Sequence, residues 1–167
     1  SNAEETAKSV PPLTEASYTA LVEASFGPFA AQVLAAYPVA DYADPRAAYV
    51  ALTSDLKFVC NARRAARAAD VGQTEPVRRY QFAYNGYTTG PGMTATAFHG
   101  LELIYIFAAW GAVLSGGVEY QPNADDLAIS ATLQAAWARF AATGDASGEG
   151  LDWPVYVGAT DDHVVLD

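Results

Sequence analysis

The chain has 167 residues, of which 51% are hydrophobic and 17% are charged, so it is long and apolar enough to bury a core and is not a disordered tail. Its formal net charge is −10, and because an acidic chain is repelled by phosphates and anionic headgroups, neither nucleic acid nor a membrane is expected as a partner. No apolar run reaches the roughly 18 residues of a transmembrane helix, the longest candidate being Leu101 to Leu114. The single Cys60 excludes an internal disulfide and a cysteine metal cluster.

Residues 1–12 are interpreted as a tag remnant followed by a polar arm. Ser1-Asn2-Ala3 resembles the scar left by tag cleavage, and the polar stretch after it ends in Pro11-Pro12. Residues 13–167 are predicted to form a single domain, because a chain of this length is the usual size of one. The compartment stays undetermined, with secretion or a periplasmic location left open if a signal peptide was removed.

The first half of the chain is predicted to be helical. Three helices are expected: one from Thr14 to about Ser25, one from Phe29 to Tyr37, and one that Asp44-Pro45 opens and that runs to about Ala69. Thr14 can cap the first helix, because its hydroxyl accepts from backbone amides. The cluster Arg63, Arg64 and Arg67 is interpreted as a solvated helix end.

The second half mixes one strand with further helix. The stretch Pro76–Tyr84 is the clearest strand, the loop after it is rich in glycine, and Leu101–Phe107 has no decisive periodicity. Asp125–Ala142 is the strongest helix, with Gly144 as its cap. In the tail, residues 153–157 and 163–166 are predicted to pair as a hairpin. The predicted class is therefore α+β, mainly helical.

His99 is the residue best suited to catalysis. It follows a glycine-rich loop at the end of the predicted strand, which is where α/β enzymes place catalytic groups; a structural histidine is the competing interpretation. A metal site is not expected, since no second histidine lies at helical spacing from His99. No cofactor is expected either, because no phosphate-binding glycine loop is present. No serine stands in the G-x-S-x-G pattern of a nucleophile elbow.

Four blocks, in order, resemble the C-terminal third of the type-B carboxylesterases, a branch of the α/β hydrolases. The blocks are 55–63 (DLKFVCNAR), 79–84 (RYQFAY) with 97–107 (AFHGLELIYIF), 137–145 (WARFAATGD) and 153–156 (WPVY). The sequence departs from the family pattern at Asn61 and Ala146, where proline is usual. The resemblance implies a fragment of the hydrolase fold with one main strand, a small C-terminal hairpin and most of the central parallel sheet missing.

The resemblance also implies the roles of individual residues. His99 is similar to the triad histidine, which acts as a general base toward the serine hydroxyl. Glu102 and Asp55 are expected to be supporting residues. The serine and the acid of the triad precede the histidine in this fold, and neither has a counterpart here. The chain is therefore expected to be part of a serine carboxylesterase and to be inactive by itself.

Two other functions stay open. The chain could be a natural short protein that kept the esterase tail as a binding module, or a subunit that complements a separate chain carrying serine and acid. The gene would discriminate among the three. A nucleophile elbow encoded just upstream of Glu4 supports the esterase fragment, and a start codon there supports the natural short protein. A neighbouring gene that encodes the missing part supports the complementing subunit. Because a strand without its sheet exposes edges and apolar surface, a homo-oligomer is also expected.

Overall fold

A computed structural model describes residues 11–86, 88–90, 93–94, 97–111 and 121–167. These residues group into two compact units, one that extends to Asn61 and one that runs from Ala62 to Asp167. Each unit is described by itself below. The single domain expected over residues 13–167 stays a prediction.

The N-terminal unit is helical, as predicted. Its α-helices are α1 (Glu15–Phe26), α2 (Ala30–Ala36) and α3 (Pro45–Ser54), with 3₁₀ turns at Gly27–Phe29 and Val39–Asp41 and a π-helical stretch at Asp55–Val59. Thr14 caps α1 in a capping box, in which the Ser17 amide donates to Thr14 Oγ1 at 3.2 Å. Asp44 caps α3 by accepting from the amide of Ala47 at 2.7 Å. Both ends therefore form where short polar side chains satisfy free helical amides.

The core of this unit lies between α1, α2 and α3. Its buried hydrophobic residues are Tyr18, Val22, Ala30, Ala48 and Leu52. Tyr18 is 1% exposed, and its hydroxyl donates to the carbonyl of Tyr37 at 2.8 Å. This hydrogen bond ties α1 to the end of α2, because a buried hydroxyl needs an acceptor.

The helical run Glu15–Asp41 is long and apolar enough, by length and composition alone, to cross a membrane. Its mean hydropathy is 1.2, and 11% of the apolar stretch is buried. The sequence analysis did not identify this run as a single apolar stretch, because Glu23 and Gly27-Pro28 interrupt its apolar residues. Core helices of soluble proteins and signal sequences pass the same test, so the absence of a membrane partner stays a prediction.

The C-terminal unit combines helices with two small sheets. Its helices are α4 (Cys60–Gly72, which starts just before the unit), α5 (Glu102–Phe107) and α6 (Ala124–Thr143), and its strands are β1 (Tyr80–Phe82), β2 (Thr88–Gly90), β3 (Met93–Thr94) and β4 (Val164–Leu166). The undecided segment 101–107 is thus helical. Asn123 caps α6 by accepting from two amides, and Gly144 ends it with φ +76°. The cap lies two residues before the predicted acidic start.

The main sheet is a parallel pair, and this differs from the predicted C-terminal hairpin. β4 pairs with β1 in the register Tyr80 to Val164 and Phe82 to Leu166. The other tail segment also bonds to the region of β1, since the Tyr156 amide donates to the carbonyl of Val77 at 2.8 Å. Both tail segments therefore use backbone groups of 77–83, and they do not pair with each other. The mainly helical α+β class is confirmed.

The short strands β2 and β3 lie in the segment predicted as a glycine-rich loop. They are antiparallel, with Thr88 opposite Thr94 and Gly90 opposite Met93. The loop was predicted over 85–93, and positions 87, 91 and 92 of it lie outside the described residues.

The core of the C-terminal unit packs α5 and α6 against the parallel pair. Its most buried members include Phe82, Leu101, Tyr105, Leu133 and Leu166. β1 therefore has one role in the sheet and another in the core, where Phe82 stacks 5.5 Å from the ring of Tyr105. This packing sets the position of α5, which begins three residues after His99.

Candidate active site

His99 lies on a short turn that leads into α5, and its side chain is exposed. The turn is held at its start by Asn85, whose side-chain carbonyl accepts from the buried Ala97 amide at 3.1 Å. It is closed by the Leu101 amide, which donates to the carbonyl of Phe98 at 3.1 Å. The histidine is therefore presented to solvent from a turn whose two ends are fixed.

Gly100 gives this turn its shape. Its φ is +85°, in the left-handed region that L-residues with a side chain rarely adopt. The following residue, Leu101, is fully buried. A left-handed residue at 100 thus lets the chain pass from exposed His99 to buried Leu101 within two residues.

Glu102 is the first residue of α5. Its Oε2 atom is buried and has no hydrogen-bond partner among the described residues. Burial, with a further contribution from the charge of Glu102, raises the pKa of the Tyr80 phenol. A buried carboxylate oxygen without a donor is costly, so Glu102 is the group of this region that most needs another polar partner.

Asp55 lies in the N-terminal unit, whereas His99 and Glu102 lie in the C-terminal unit. Its Oδ2 accepts from the hydroxyl of Tyr37 at 2.7 Å. Burial, and then this hydrogen bond, raise the pKa of Tyr37. The contact gives Asp55 a structural role within its own unit, and its predicted supporting role stays a prediction.

Several serines of the described part of the chain are held in backbone hydrogen bonds. Ser54 Oγ donates to the carbonyl of Val50 at 2.6 Å, and buried Ser130 donates to the carbonyl of Tyr105 at 2.6 Å. Ser147 Oγ accepts from the Trp153 amide at 3.0 Å. Such hydroxyls serve the fold, and none has the strand-to-helix elbow setting that exposes a nucleophile. In the same described ranges, no group of three or more His, Cys, Asp or Glu is placed to hold a metal ion.

Asp161 is the centre of an ion-pair cluster that the sequence did not reveal. Its Oδ2 lies 3.0 Å from Arg63 Nε and 3.0 Å from Arg79 Nη1, and Oδ1 accepts from the Tyr156 hydroxyl at 3.0 Å. Partial burial acts to raise the pKa of Asp161, but the hydrogen bonds from Tyr156 and Arg63 and the charges of both arginines lower it overall. Arg63 thus forms an ion pair with Asp161, which its interpretation as a solvated helix end did not predict. The sequence could not show this pair, because its two residues lie far apart in the chain.

A second such carboxylate is Asp126, near the start of α6. It is fully buried, and its Oδ1 accepts from the hydroxyls of Tyr84 and Tyr105 at 3.0 Å each. Its Oδ2 accepts from the Asn123 amide at 2.8 Å. The sequence placed this aspartate at a helix start, but its tyrosine partners lie 42 and 21 residues away, beyond the reach of local patterns.

Known proteins that are similar to this chain in sequence or in structure include esterases. The para-nitrobenzyl esterase of Bacillus subtilis (strain 168) is 37% identical over 75 residues, which cover 42% of this chain and 14% of that protein. Two structures of a PNB esterase match with TM-scores of 0.69 and 0.66, and a thermophilic PNB esterase matches with 0.69. All three are 27% identical and cover 96% of this chain but 31% of their own.

These structures share the fold of this chain over about a third of their own length. The chain thus corresponds to part of the esterase fold, which accounts for a two-stranded parallel sheet within a mainly helical unit. The sequence model of the carboxylesterase family matches residues 11–167. On that match, which leaves out only the first ten residues, the chain belongs to the carboxylesterase family.

Proposed function

We propose that this chain is the C-terminal portion of a serine carboxylesterase and that His99 is the general base of its catalytic triad. The observation that carries the proposal is the exposed His99 on a turn braced at both ends, in a chain that belongs to the carboxylesterase family. Glu102, three residues later, supports the turn as the first residue of α5.

The chemistry assigned to His99 is proton transfer. Its imidazole takes the proton of a serine hydroxyl as the oxygen attacks the ester carbonyl, and then gives that proton to the departing alcohol. An acyl-enzyme forms. His99 next takes a proton from the water that attacks the acyl group and gives it to the serine oxygen as the acid leaves. An exposed imidazole on a fixed turn suits both steps, because it must meet a group from another part of the fold.

The serine, the acid and the oxyanion hole come from polypeptide other than these residues. No G-x-S-x-G pattern occurs in the sequence, so the chain alone is expected to be inactive. The buried Glu102 Oε2, which has no donor among the described residues, agrees with a site that is completed by another segment. A donor from that segment would satisfy this oxygen.

A chimera tests the assignment of His99. The third of a PNB esterase that matches this chain in structure is replaced by this chain, and hydrolysis of a para-nitrobenzyl ester is measured. The chimera is expected to be active, and His99→Ala is expected to lower kcat roughly 10⁴-fold or more, as removal of a triad histidine does.

His163→Ala is the matched control for this chimera. That histidine lies in the tail, where its Nδ1 is 2.7 Å from the carbonyl of Asp161, and its loss is expected to leave kcat within a factor of a few. Equal activity of the His99→Ala chimera and its parent, both folded by circular dichroism, would show that His99 is not the base.

The alternative is that the chain acts without catalysis, as a binding module, or as a subunit that complements a separate chain. The serines held in structural hydrogen bonds favour these alternatives over independent activity. The gene discriminates among them: an elbow encoded upstream in the same frame supports the esterase fragment, whereas a neighbouring gene with the other part supports a complementing subunit.

We also propose that the chain associates with itself through the outer side of its parallel sheet and the adjoining apolar surface. In the described part of the chain this sheet has two strands, and Val165 on β4 is 46% exposed. On α5, Leu103 and Phe107 are 52% and 73% exposed. Open edges with exposed apolar side chains favour strand pairing between copies.

Light scattering tests this association. The wild-type chain is expected to give a mass of at least twice 17.6 kDa, and Val165→Lys is expected to reduce it toward the monomer. Val71→Lys, at a site that is 88% exposed on α4, is the control for added charge. A wild-type chain that stays monomeric over a hundredfold range of concentration would contradict the proposal.

A further inference from the structure

A cavity of about 190 Å³ lies in the C-terminal unit, between β1, α6 and the segment around Trp153. Its lining consists of Arg78, Tyr80, Trp137, Phe140, Ala146 and Trp153. Four of these six side chains are aromatic. None of them belongs to the turn that carries His99.

The aromatic wall of the cavity is preformed. The rings of Tyr80, Trp137 and Trp153 lie 5.0 to 5.6 Å apart, and Tyr80 meets the two tryptophans edge to face. The Trp153 indole N–H also donates to the carbonyl of Arg79 at 3.0 Å. Since these contacts fix the ring planes, a ligand would not have to order them on binding.

The floor of the cavity includes a small side chain on a fixed backbone. Ala146 is 2% exposed, and its carbonyl accepts from Arg139 Nη2 at 3.0 Å, while Ser147 O accepts from Arg139 Nε at 2.9 Å. The backbone is thus held by a bidentate clamp. Because the side chain at 146 is only a methyl group, a larger residue there would occupy the cavity.

The charge that lines the cavity is already neutralised. Arg78 donates to the carbonyl of Trp153 and lies 2.9 Å from Asp145 Oδ1. Asp145 is an ionised partner, since hydrogen bonds from Ser147 and then the charge of Arg78 lower its pKa. An anionic ligand would have to compete with Asp145, so the cavity suits an uncharged molecule.

We propose that this cavity binds a single uncharged aromatic ring with a small substituent, about seven to nine heavy atoms in all. A closed apolar cavity of about 150 Å³ is known to take benzene, so about 190 Å³ accommodates one substituted ring. Aromatic rings prefer the edge-to-face contacts that Tyr80, Trp137 and Trp153 offer. Phe140, which is 45% exposed, supplies a fourth ring.

The test is a titration of the full ¹⁵N-labelled chain with benzyl alcohol, followed at the indole N–H signals by NMR. The signals of Trp137 and Trp153 are expected to shift saturably, while that of Trp110, which packs on Tyr105, stays in place. Cyclohexylmethanol, of equal size but without a π system, is expected to bind at least several-fold more weakly. Benzoate, the anionic ring, is expected to bind more weakly still.

Substitution of Ala146 tests the location. Ala146→Leu is expected to weaken benzyl alcohol binding at least about tenfold, since even one methylene changes binding in an apolar pocket by that factor. Ala146→Gly is expected to retain binding. If Ala146→Leu does not fold, as judged by the Trp110 signal, Phe140→Ala at an exposed position provides the second variant, with an expected loss of several-fold.

The opposing results are equally definite. The proposal is overturned if no indole signal shifts saturably, or if folded Ala146→Leu binds as tightly as the wild type. Equal binding of cyclohexylmethanol would remove the aromatic preference, and tighter binding of benzoate would show that Arg78 selects an anion.

Discussion

Asp126→Ala is expected to destabilise the C-terminal unit more than any other single change at the start of α6. The carboxylate is fully buried and accepts three hydrogen bonds, from Tyr84, Tyr105 and the Asn123 amide. Alanine removes both acceptor oxygens and puts nothing in their place. The Tyr105 hydroxyl then loses this acceptor at a position that water does not easily reach.

The size of the effect follows from the burial of each donor. Tyr105 is fully buried, so loss of the acceptor for its hydroxyl lowers the free energy of unfolding by about 1–3 kcal/mol. Loss of the contact to the Asn123 amide at the helix cap costs about 1 kcal/mol. Tyr84 is only partly buried and can turn to water, which costs about 0.5 kcal/mol. The sum is about 2.5–4.5 kcal/mol.

Urea denaturation followed by circular dichroism measures this loss. With a slope near 2 kcal/mol per molar, about 3 kcal/mol lowers the midpoint by about 1.5 M. Asp125→Ala is the matched control, because Asp125 is exposed in the same helical turn and interacts mainly with the helix dipole, worth about 0.3–1 kcal/mol. If the two variants lose the same stability within about 0.5 kcal/mol, the buried network does not have the role assigned to it.

Three further predictions concern titration and the histidine turn. Burial and a carboxylate partner raise the pKa of Tyr84 to about 12. The protonated Tyr84 hydroxyl therefore contributes fully to stability below its ordinary pKa near 10, and this contribution is lost as the pH rises toward 12. Urea denaturation at a series of alkaline pH values measures the loss. Asp161→Ala is expected to lower the free energy of unfolding by about 3 kcal/mol at pH 7, because buried Arg79 loses its partner. Since the pKa of Asp161 is lowered in the folded chain, the difference in unfolding free energy between variant and wild type should narrow as the pH falls below about 4. A difference that does not change with pH would refute this prediction. Asn85→Ala is expected to broaden the NMR signals of the His99 ring while Asn85→Asp preserves them, and identical spectra for the two variants would exclude the bracing contact.

Local signals in the sequence predicted much of the secondary structure. Thr14 and Gly144 mark helix ends through hydrogen bonds and a left-handed φ that involve only neighbouring residues, so a reader of the sequence can find them. The cap of α6 was placed two residues late, because Asn123 and the aspartates after it are all suitable helix starts.

Long-range pairing limited the rest of the fold prediction. β4 was expected to form a hairpin within the tail, but it pairs with β1, whose residues lie 84 positions earlier in the register of Tyr80 and Val164. A short strand of valines and leucine fits either partner, and only the packing of Phe82 and Leu166 in one core decides between them.

The candidate site divides in the same way. His99 was found through its glycine neighbour and through a motif that resembles an enzyme family. Asn85, in contrast, has no motif, and it matters only because its carbonyl accepts from the Ala97 amide across 12 residues. Asp161 was not singled out in the sequence, and it is a shared partner of Arg63 and Arg79 only in the folded chain.

The measurement that tests the central claim most directly is mass spectrometry of the purified chain after treatment with a fluorophosphonate, run beside a short-chain nitrophenyl ester assay with His99→Ala as the control. The account predicts no adduct and no turnover above the control, because it proposes that the chain supplies the general base His99 and that another segment supplies the nucleophile. A stoichiometric adduct on one serine, with turnover that disappears in His99→Ala, would contradict it and would mean that these 167 residues assemble a working esterase site.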